Sequence, residues 1–189
     1  GAGAVRMAHE NVRARMLSPA PGREAAAAAA LPALTWKDGV KLRFAGQELE
    51  IRHVGPAHTD GDSIVLFPDA KAVHVGDLLF NGMFPFVDHD SGGSVAGMIA
   101  ALREVRVALP ADWKVIPGHG ALAGAAEIDA SLRMLEATLE VVHARAQQGM
   151  NKQAIVAAGL PAEWASWSWQ FVTTERWLET LARECGVTG

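Results

Sequence analysis

The sequence predicts an α/β fold in which β-hairpins come first along the chain and are followed by helices that pack on them. Residues 40–44 and 49–54 alternate apolar and polar side chains around a short Gly-containing turn, which is the signature of a hairpin. A second strand–turn–strand pattern covers 63–67 and 72–75, and long helical periodicities begin only after Ser94. This order favours an α/β sandwich over a parallel Rossmann sheet.

The first part of the chain predicts shorter elements. A buried strand is predicted over 4–8 and one or two helical turns over 9–17. Residues 18–32 contain prolines near both ends and a run of six alanines, 25–30, without a large apolar face. Alanine favours helix locally but proline interrupts it, so we expect a partly helical excursion over the surface.

Helices and one last strand account for the rest of the chain. Pro110 predicts the end of the first helix, and Asn151 is a good N-cap for a later one. The periodicities predict a helix over 94–109, a strand over 113–116 and helices over 128–142, 151–159 and 174–186.

Length and composition limit the classes of function. The chain has 189 residues, half of them hydrophobic and a fifth charged, so we expect one domain, 1–189, with a helical tail from about residue 126. The formal charge of −4, without clustered Lys and Arg, argues against a nucleic-acid partner. No apolar stretch is long enough to span a membrane. The single cysteine, Cys185, excludes an intrachain disulfide, and the compartment, periplasmic or cytoplasmic, stays open.

Three short segments each place one side chain that can bind a metal after an apolar run, in a turn of small residues. The side chains are His58, Asp77 and His119. Imidazole and carboxylate suit zinc, iron or manganese when the metal must also hold a reactive water. Closed structural zinc sites use paired cysteines or histidines a few residues apart, which this sequence lacks. The pattern therefore predicts an open, hydrolytic metal site.

The turns Gly-Pro-Ala-His58, Val-Gly-Asp77-Leu and Pro-Gly-His119-Gly together resemble the metallo-β-lactamase superfamily, in the branch of metallo-hydrolases that includes glyoxalase II. The resemblance runs from about residue 1 to about 140. It implies an αββα sandwich and two metal ions, zinc with iron or manganese as alternatives. By the family's scheme Asp77 bridges both ions, and His58 and His119 each bind one. The implied reaction is hydrolysis of a small-molecule substrate by a metal-bound hydroxide.

The family's first ligand motif, H-x-H-x-D-H, does not occur in this sequence. Residues 1–10 look like the strand and helix start that normally follow it. We therefore expect an N-terminally truncated fold, a piece of a longer hydrolase that lacks part of the metal site. Such a chain would bind metal weakly and turn over little or no substrate by itself.

Further side chains surround the three predicted ligands. Asp60 and Asp62 flank His58, and they either orient its ring by accepting the second ring N–H or only shape a polar turn. A long loop after Asp77 is predicted to form a wall of the substrate pocket. Its candidate pocket residues are Asn81, Phe84, Phe86 and His89.

The tail is rich in tryptophan. We expect Trp169 and Trp177 to pack the last helix on the sandwich, and an exposed remnant of these tryptophans to mark a homodimer contact. Two other functions stay open from the sequence: a non-catalytic interaction module that keeps the sandwich, and a di-iron protein that reduces oxygen. The substrate cannot be extracted from these residues, because the fold supports many.

Overall fold

The computed structural model describes residues 4–19 and 21–187. Its centre is a five-stranded sheet in the order β3-β4-β5-β6-β7. The strands are β3 Gly39–Phe44, β4 Gln47–His53, β5 Ser63–Phe67, β6 Ala72–Phe80 and β7 Lys114–His119. The first four strands pair antiparallel. Short turns join β3 to β4 and β5 to β6, as the alternating patterns predict, and residues 54–62 join β4 to β5. Strands β6 and β7 pair in parallel. A parallel pair needs a crossover, and a helix lies between these two strands in the chain.

Helices follow the strands, which confirms the predicted α/β class. Their bounds are α2 Val95–Ala108, α3 Ala125–Gln147, α4 Lys152–Ala157 and α5 Thr174–Glu184, with a 3₁₀ helix over Ala162–Trp167. The hydroxyl of Ser94 caps α2 by accepting from the N–H of Gly97. Leu109 has extended backbone because it precedes Pro110, and this ends α2 where the sequence predicts.

The N-terminal part of the chain contains two strands and two helical segments. These are β1 Met7–His9, α1 Glu10–Leu17, a 3₁₀ helix Ala28–Ala30 and β2 Leu34–Trp36. Strands β1 and β2 pair in parallel and form a sheet of their own. Strand β1 is shorter than the predicted strand over 4–8, and β2 was not predicted. Residues 1–3 of the predicted opening segment and Ala20 of the surface excursion lie outside the described residues.

The two faces of the five-stranded sheet have different neighbours. Leu66 of β5 and Val73 of β6 pair side by side and lie with Val105 of α2 around one apolar pocket. On the opposite face, the ring of His9 in β1 stacks on His53 of β4 with 4.0 Å between centroids. The helices α2 and α3 thus cover one face, and β1 with its neighbours attaches to the other.

The last helix is anchored in the core. Trp177 of α5 is fully buried, stacks on Phe84 at 5.7 Å between ring centroids, and donates to the hydroxyl of Thr138 at 3.1 Å. The predicted packing of Trp177 is therefore confirmed. None of the helices in the described part of the chain is both long and apolar enough to cross a membrane.

Candidate metal centre

The three side chains singled out in the sequence lie together at one end of the sheet. Nε2 of His58 is 3.6 Å from Oδ2 of Asp77, and Nε2 of His119 is 3.5 Å from Oδ1 of the same carboxylate. Each imidazole therefore faces a different oxygen of Asp77.

His58 is held by its own turn and by a neighbouring loop. The carboxylate of Asp62 accepts from the N–H of His58 at 2.6 Å and from the hydroxyl of Thr59 at 2.7 Å, which shapes the loop between β4 and β5. Nδ1 of His58 lies 2.7 Å from the carbonyl oxygen of Phe86. A carbonyl only accepts hydrogen bonds, so Nδ1 carries the hydrogen and Nε2 of a neutral ring directs its lone pair towards Asp77.

The sequence left two roles open for the aspartates beside His58, orientation of its ring or shaping of a polar turn. Neither carboxylate accepts the ring N–H, because the backbone carbonyl of Phe86 does. Asp62 instead bonds the backbone of its own turn, as an aspartate in a tight polar turn commonly does. The carboxylate of Asp60 points away and pairs with Arg15 of α1.

Asp77 lies inside strand β6 rather than in a turn after it. The strand extends to Phe80 because it continues to pair with β7, with irregular register between His74 and Phe80. Gly118 of β7 makes room for the carboxylate, since a Cβ at this position would lie 2.0 Å from Oδ1 of Asp77. The glycine before His119 is therefore a requirement of the site.

His119 is the last residue of β7 and stands against aromatic rings. Its imidazole stacks on Phe80, with 4.5 Å between centroids and 14° between planes. Asn81 supports the turn that follows: its N–H donates to the carbonyl of His119 and its amide donates to the carbonyl of Ala121, both at 3.0 Å. Asn81 thus holds the backbone beside the site.

A cleft of about 460 Å³ opens at these three side chains. It is lined by His58, Asp77, Phe80, Phe86, His119, Trp169 and Phe171. We call Phe80, Phe86, Trp169 and Phe171 the aromatic wall. Of these four, Phe86 was predicted as a pocket residue. Trp169 was predicted to pack, and it does pack against the core while it also lines the cleft. Phe80 and Phe171 were missed, and the density of aromatic residues in the tail was the available signal for Phe171.

Of the four predicted pocket residues, only Phe86 lines the cleft. Phe84 is fully buried against Trp177, and Asn81 supports the His119 turn from outside. Nε2 of His89 is 2.9 Å from Oε2 of Glu184 on α5, so this side chain is engaged away from the cleft. The loop turns Phe84 inward because its ring fills the core beneath α5.

Glu184 joins α5 to the loop that carries Phe86. Its carboxylate also accepts from the hydroxyl of Ser94 at 2.9 Å and from the N–H of Ala96 at 3.0 Å. Burial raises the pKa of Glu184, but hydrogen bonds from the backbone of Ala96 and Val95 and from His89 and Ser94 outweigh it and lower the pKa below its ordinary value. The carboxylate is therefore ionised at neutral pH.

The donors suit a divalent metal in kind and in spacing. Two ligands of one tetrahedral zinc lie about 3.4 Å apart when each bond is about 2.1 Å, close to the 3.6 and 3.5 Å between the histidines and Asp77. Nε2 of His58 and Oδ2 of Asp77 face each other, so both could donate to one cation placed between them. These side chains are, however, too few to complete a metal site. Within 4–19 and 21–187 no three His, Cys, Asp or Glu side chains group so that they could hold one metal ion.

Comparison with known proteins identifies the family. The model of the metallo-beta-lactamase superfamily matches residues 2–119. A metallo-beta-lactamase from Pontibacter korlensis is similar over 56% of this chain and 49% of its own, with 20% identity and a TM-score of 0.50. The stereoselective inverting sec-alkylsulfatase Pisa1 from Pseudomonas sp. is similar over 84% of this chain and 27% of its own, with 15% identity and a TM-score of 0.62.

These likenesses to solved structures concern the fold. The chain spans about half the length of the first structure and about a quarter of the second. The matched region, 2–119, includes all three side chains of the candidate site and ends at His119. The chain belongs to the metallo-beta-lactamase superfamily.

Proposed function

We propose that the cleft at Asp77 is the centre of a metal-dependent hydrolase with two zinc positions that share this carboxylate. Membership of the superfamily suggests a metal-dependent hydrolase. The observation that carries the proposal is that each oxygen of Asp77 faces Nε2 of a different histidine. A bridging carboxylate with one imidazole on each side has this arrangement.

Each side chain of the site would have a separate role that follows from its position. His58 would bind through Nε2, because Phe86 occupies Nδ1 and fixes the ring orientation. Asp77 would lower the repulsion between two cations by its negative charge. A divalent metal held there would lower the pKa of coordinated water to about 7 and polarise the bond under attack. The aromatic wall would keep bulk water from one side of the cleft.

We further propose that metal binding by this chain is weak and its turnover low. Each zinc position has two protein donors, one histidine and Asp77, whereas a catalytic zinc usually keeps three. The same shortage supports the second candidate function, a non-catalytic interaction module that retains the fold.

The experiment measures zinc binding and turnover together. The chain is titrated with Zn²⁺ in competition with a chromophoric chelator, its metal content is determined, including iron and manganese, and hydrolysis is assayed with a lactam, a thioester, a phosphodiester and a sulfate ester. We expect weak zinc binding that disappears in Asp77→Asn and is halved in stoichiometry by His58→Ala or His119→Ala. His143→Ala, an exposed histidine on α3, is the matched control.

The outcomes separate the candidates. Zinc retained by Asp77→Asn with the stoichiometry of the wild type contradicts the shared-carboxylate proposal. Zinc bound through Asp77 without turnover of any substrate class favours the interaction module. Tight binding of two zinc ions with rapid turnover contradicts the proposed weakness.

A further inference from the structure

We infer that the aromatic wall binds an apolar alkyl or aryl group of the substrate beside the bond to be cleaved. The inference deepens the proposed function. It rests on that function in treating the bound molecule as a substrate. It concerns the part of the cleft that lies away from Asp77.

The rings form a continuous path that starts at a candidate ligand. The ring of Trp169 is centred 5.8 Å from the imidazole of His119 and 6.2 Å from Phe80. Phe171 follows at 5.7 Å from Trp169, and Phe86 lies 5.6 Å from Phe171 in an edge-on arrangement. A group attached to an atom at Asp77 would therefore extend along aromatic faces.

The wall is held in place before anything binds. The indole N–H of Trp169 donates to the carbonyl of Phe84 at 2.9 Å, and the N–H of Phe84 donates to the carbonyl of Trp167 at 2.8 Å. These bonds tie the tail to the loop before Phe86. Ordered rings lose little entropy when a ligand covers them, which favours binding.

A guanidinium stacks on the outer end of the wall. The Arg176 guanidinium carbon lies 4.3 Å from the ring centroid of Phe171 and 5.1 Å from that of Phe86. Its Nη1 also donates to the carbonyl of Phe171 at 2.8 Å. These cation–π contacts restrain both rings, and Arg176 is not among the residues that line the cleft.

The chemistry of the lining selects the ligand class. Besides the two histidines and Asp77, the lining consists of the four aromatic side chains. Phe171 is 49% exposed although it belongs to this cluster, so apolar surface stays open to solvent next to a polar centre. The indole N–H of Trp169 already donates to the carbonyl of Phe84, so the aromatic wall offers little hydrogen bonding to the hydroxyls of a sugar. An alkyl or aryl group loses no hydrogen bond to water when it covers these rings.

The test uses the metal-free protein, so it does not depend on zinc. Binding of 4-phenylbutanamide and of acetamide is measured by ligand-observed NMR. We expect the phenyl compound to bind and acetamide not to bind. Phe171→Ala and Trp169→Ala should each weaken the phenyl compound about three- to tenfold, the range of one lost aromatic contact. Phe44→Ala, a 75% exposed phenylalanine on β3 at the opposite edge of the sheet, should change nothing.

Zinc titration of Phe171→Ala separates this inference from the proposed function. The side chain of Phe171 offers no donor atom, so we expect unchanged zinc affinity. Equal binding of the two amides, or wild-type binding of the phenyl compound by Phe171→Ala and Trp169→Ala, overturns the inference. If the phenyl compound binds as expected but zinc binding is insensitive to Asp77→Asn, the proposed function fails and the apolar binding site stands.

Discussion

The two ends of the cleft are built in different ways. At the metal-ligand end, the turn of His58 is shaped by Asp62, four residues away, and Asp77 is accommodated by Gly118 of the adjacent strand. At the aromatic end, Trp169 bonds the backbone of Phe84, 85 residues earlier in the chain. Short motifs thus specify the three candidate ligands, whereas long-range packing places Trp169 in the aromatic wall.

The two ends meet at Phe86. Its carbonyl orients the ring of His58, and its own ring belongs to the aromatic wall. The family model ends at residue 119, whereas Trp169 and Phe171 come from the tail beyond it. The matched region therefore contains Phe80 and Phe86 of the aromatic wall but not Trp169 and Phe171.

Gly118→Ala should break the metal-ligand end and leave the aromatic end intact. The added Cβ would lie 2.0 Å from Oδ1 of Asp77, 2.8 Å from the carbonyl carbon of Gly76 and 2.9 Å from the backbone nitrogen of Asp77, so the carboxylate and the strand that carries it must shift. We expect zinc affinity to fall about a hundredfold, as for a ligand that loses its orientation. Chelator competition measures this loss, and binding of 4-phenylbutanamide reports on the wall.

The control is Gly124→Ala, where the nearest atom to an added Cβ is Oε2 of Glu127 at 3.6 Å, an ordinary contact. It should bind zinc as the wild type does. Wild-type affinity in Gly118→Ala would contradict the role given to Asp77.

Asp62→Ala and Asp60→Ala form a matched pair that sharpens the account of the metal-ligand end. Asp62 accepts from the backbone of His58 and Thr59, whereas Asp60 only pairs with Arg15 at the surface. We expect Asp62→Ala to weaken zinc about tenfold. Asp60→Ala should leave zinc affinity unchanged and lower the free energy of unfolding by about 0.5 kcal/mol, because the ion pair with Arg15 is lost. Equal effects of the two substitutions on zinc would contradict this assignment.

Glu184→Gln should loosen the link between α5 and the loop that carries Phe86. The pKa of Glu184 is lowered in the folded protein, so its carboxylate stabilises the fold at pH values above its ordinary pKa of 4.5. This contribution is lost as the pH falls below 4.5 through the lower folded pKa. We expect Glu184→Gln to lower the free energy of unfolding by about 1 kcal/mol at pH 7.

Urea unfolding of the wild type and of Glu184→Gln is measured from pH 7 to pH 3. The difference between their free energies of unfolding should decrease towards pH 3. Glu179→Gln, an exposed acid on the same helix, is the control and should show no such pH dependence. A difference that persists unchanged at pH 3 would show that the charge of Glu184 does not carry the effect.

Much of the fold could be predicted because local sequence patterns report burial directly. The alternation in β3 and β4 marks the less exposed face of the hairpin and the helical spacing in α2 marks its buried face, so these elements lie where predicted. Strand β2 could not be found in this way, since Leu34–Trp36 has only three residues and two of them are exposed. It forms by pairing with β1, a contact between segments 27 residues apart.

The sequence by itself determined the α/β class, the order of hairpins and helices, and the three short segments that carry His58, Asp77 and His119. These features depend on residues that are neighbours in the chain or in one hairpin. The tertiary structure decided that Phe86 rather than Asp60 or Asp62 orients His58, that Phe84 is buried, and that Trp169 and Phe171 line the cleft. Each of these outcomes depends on contacts between distant segments, whose positions are settled only when the whole core packs.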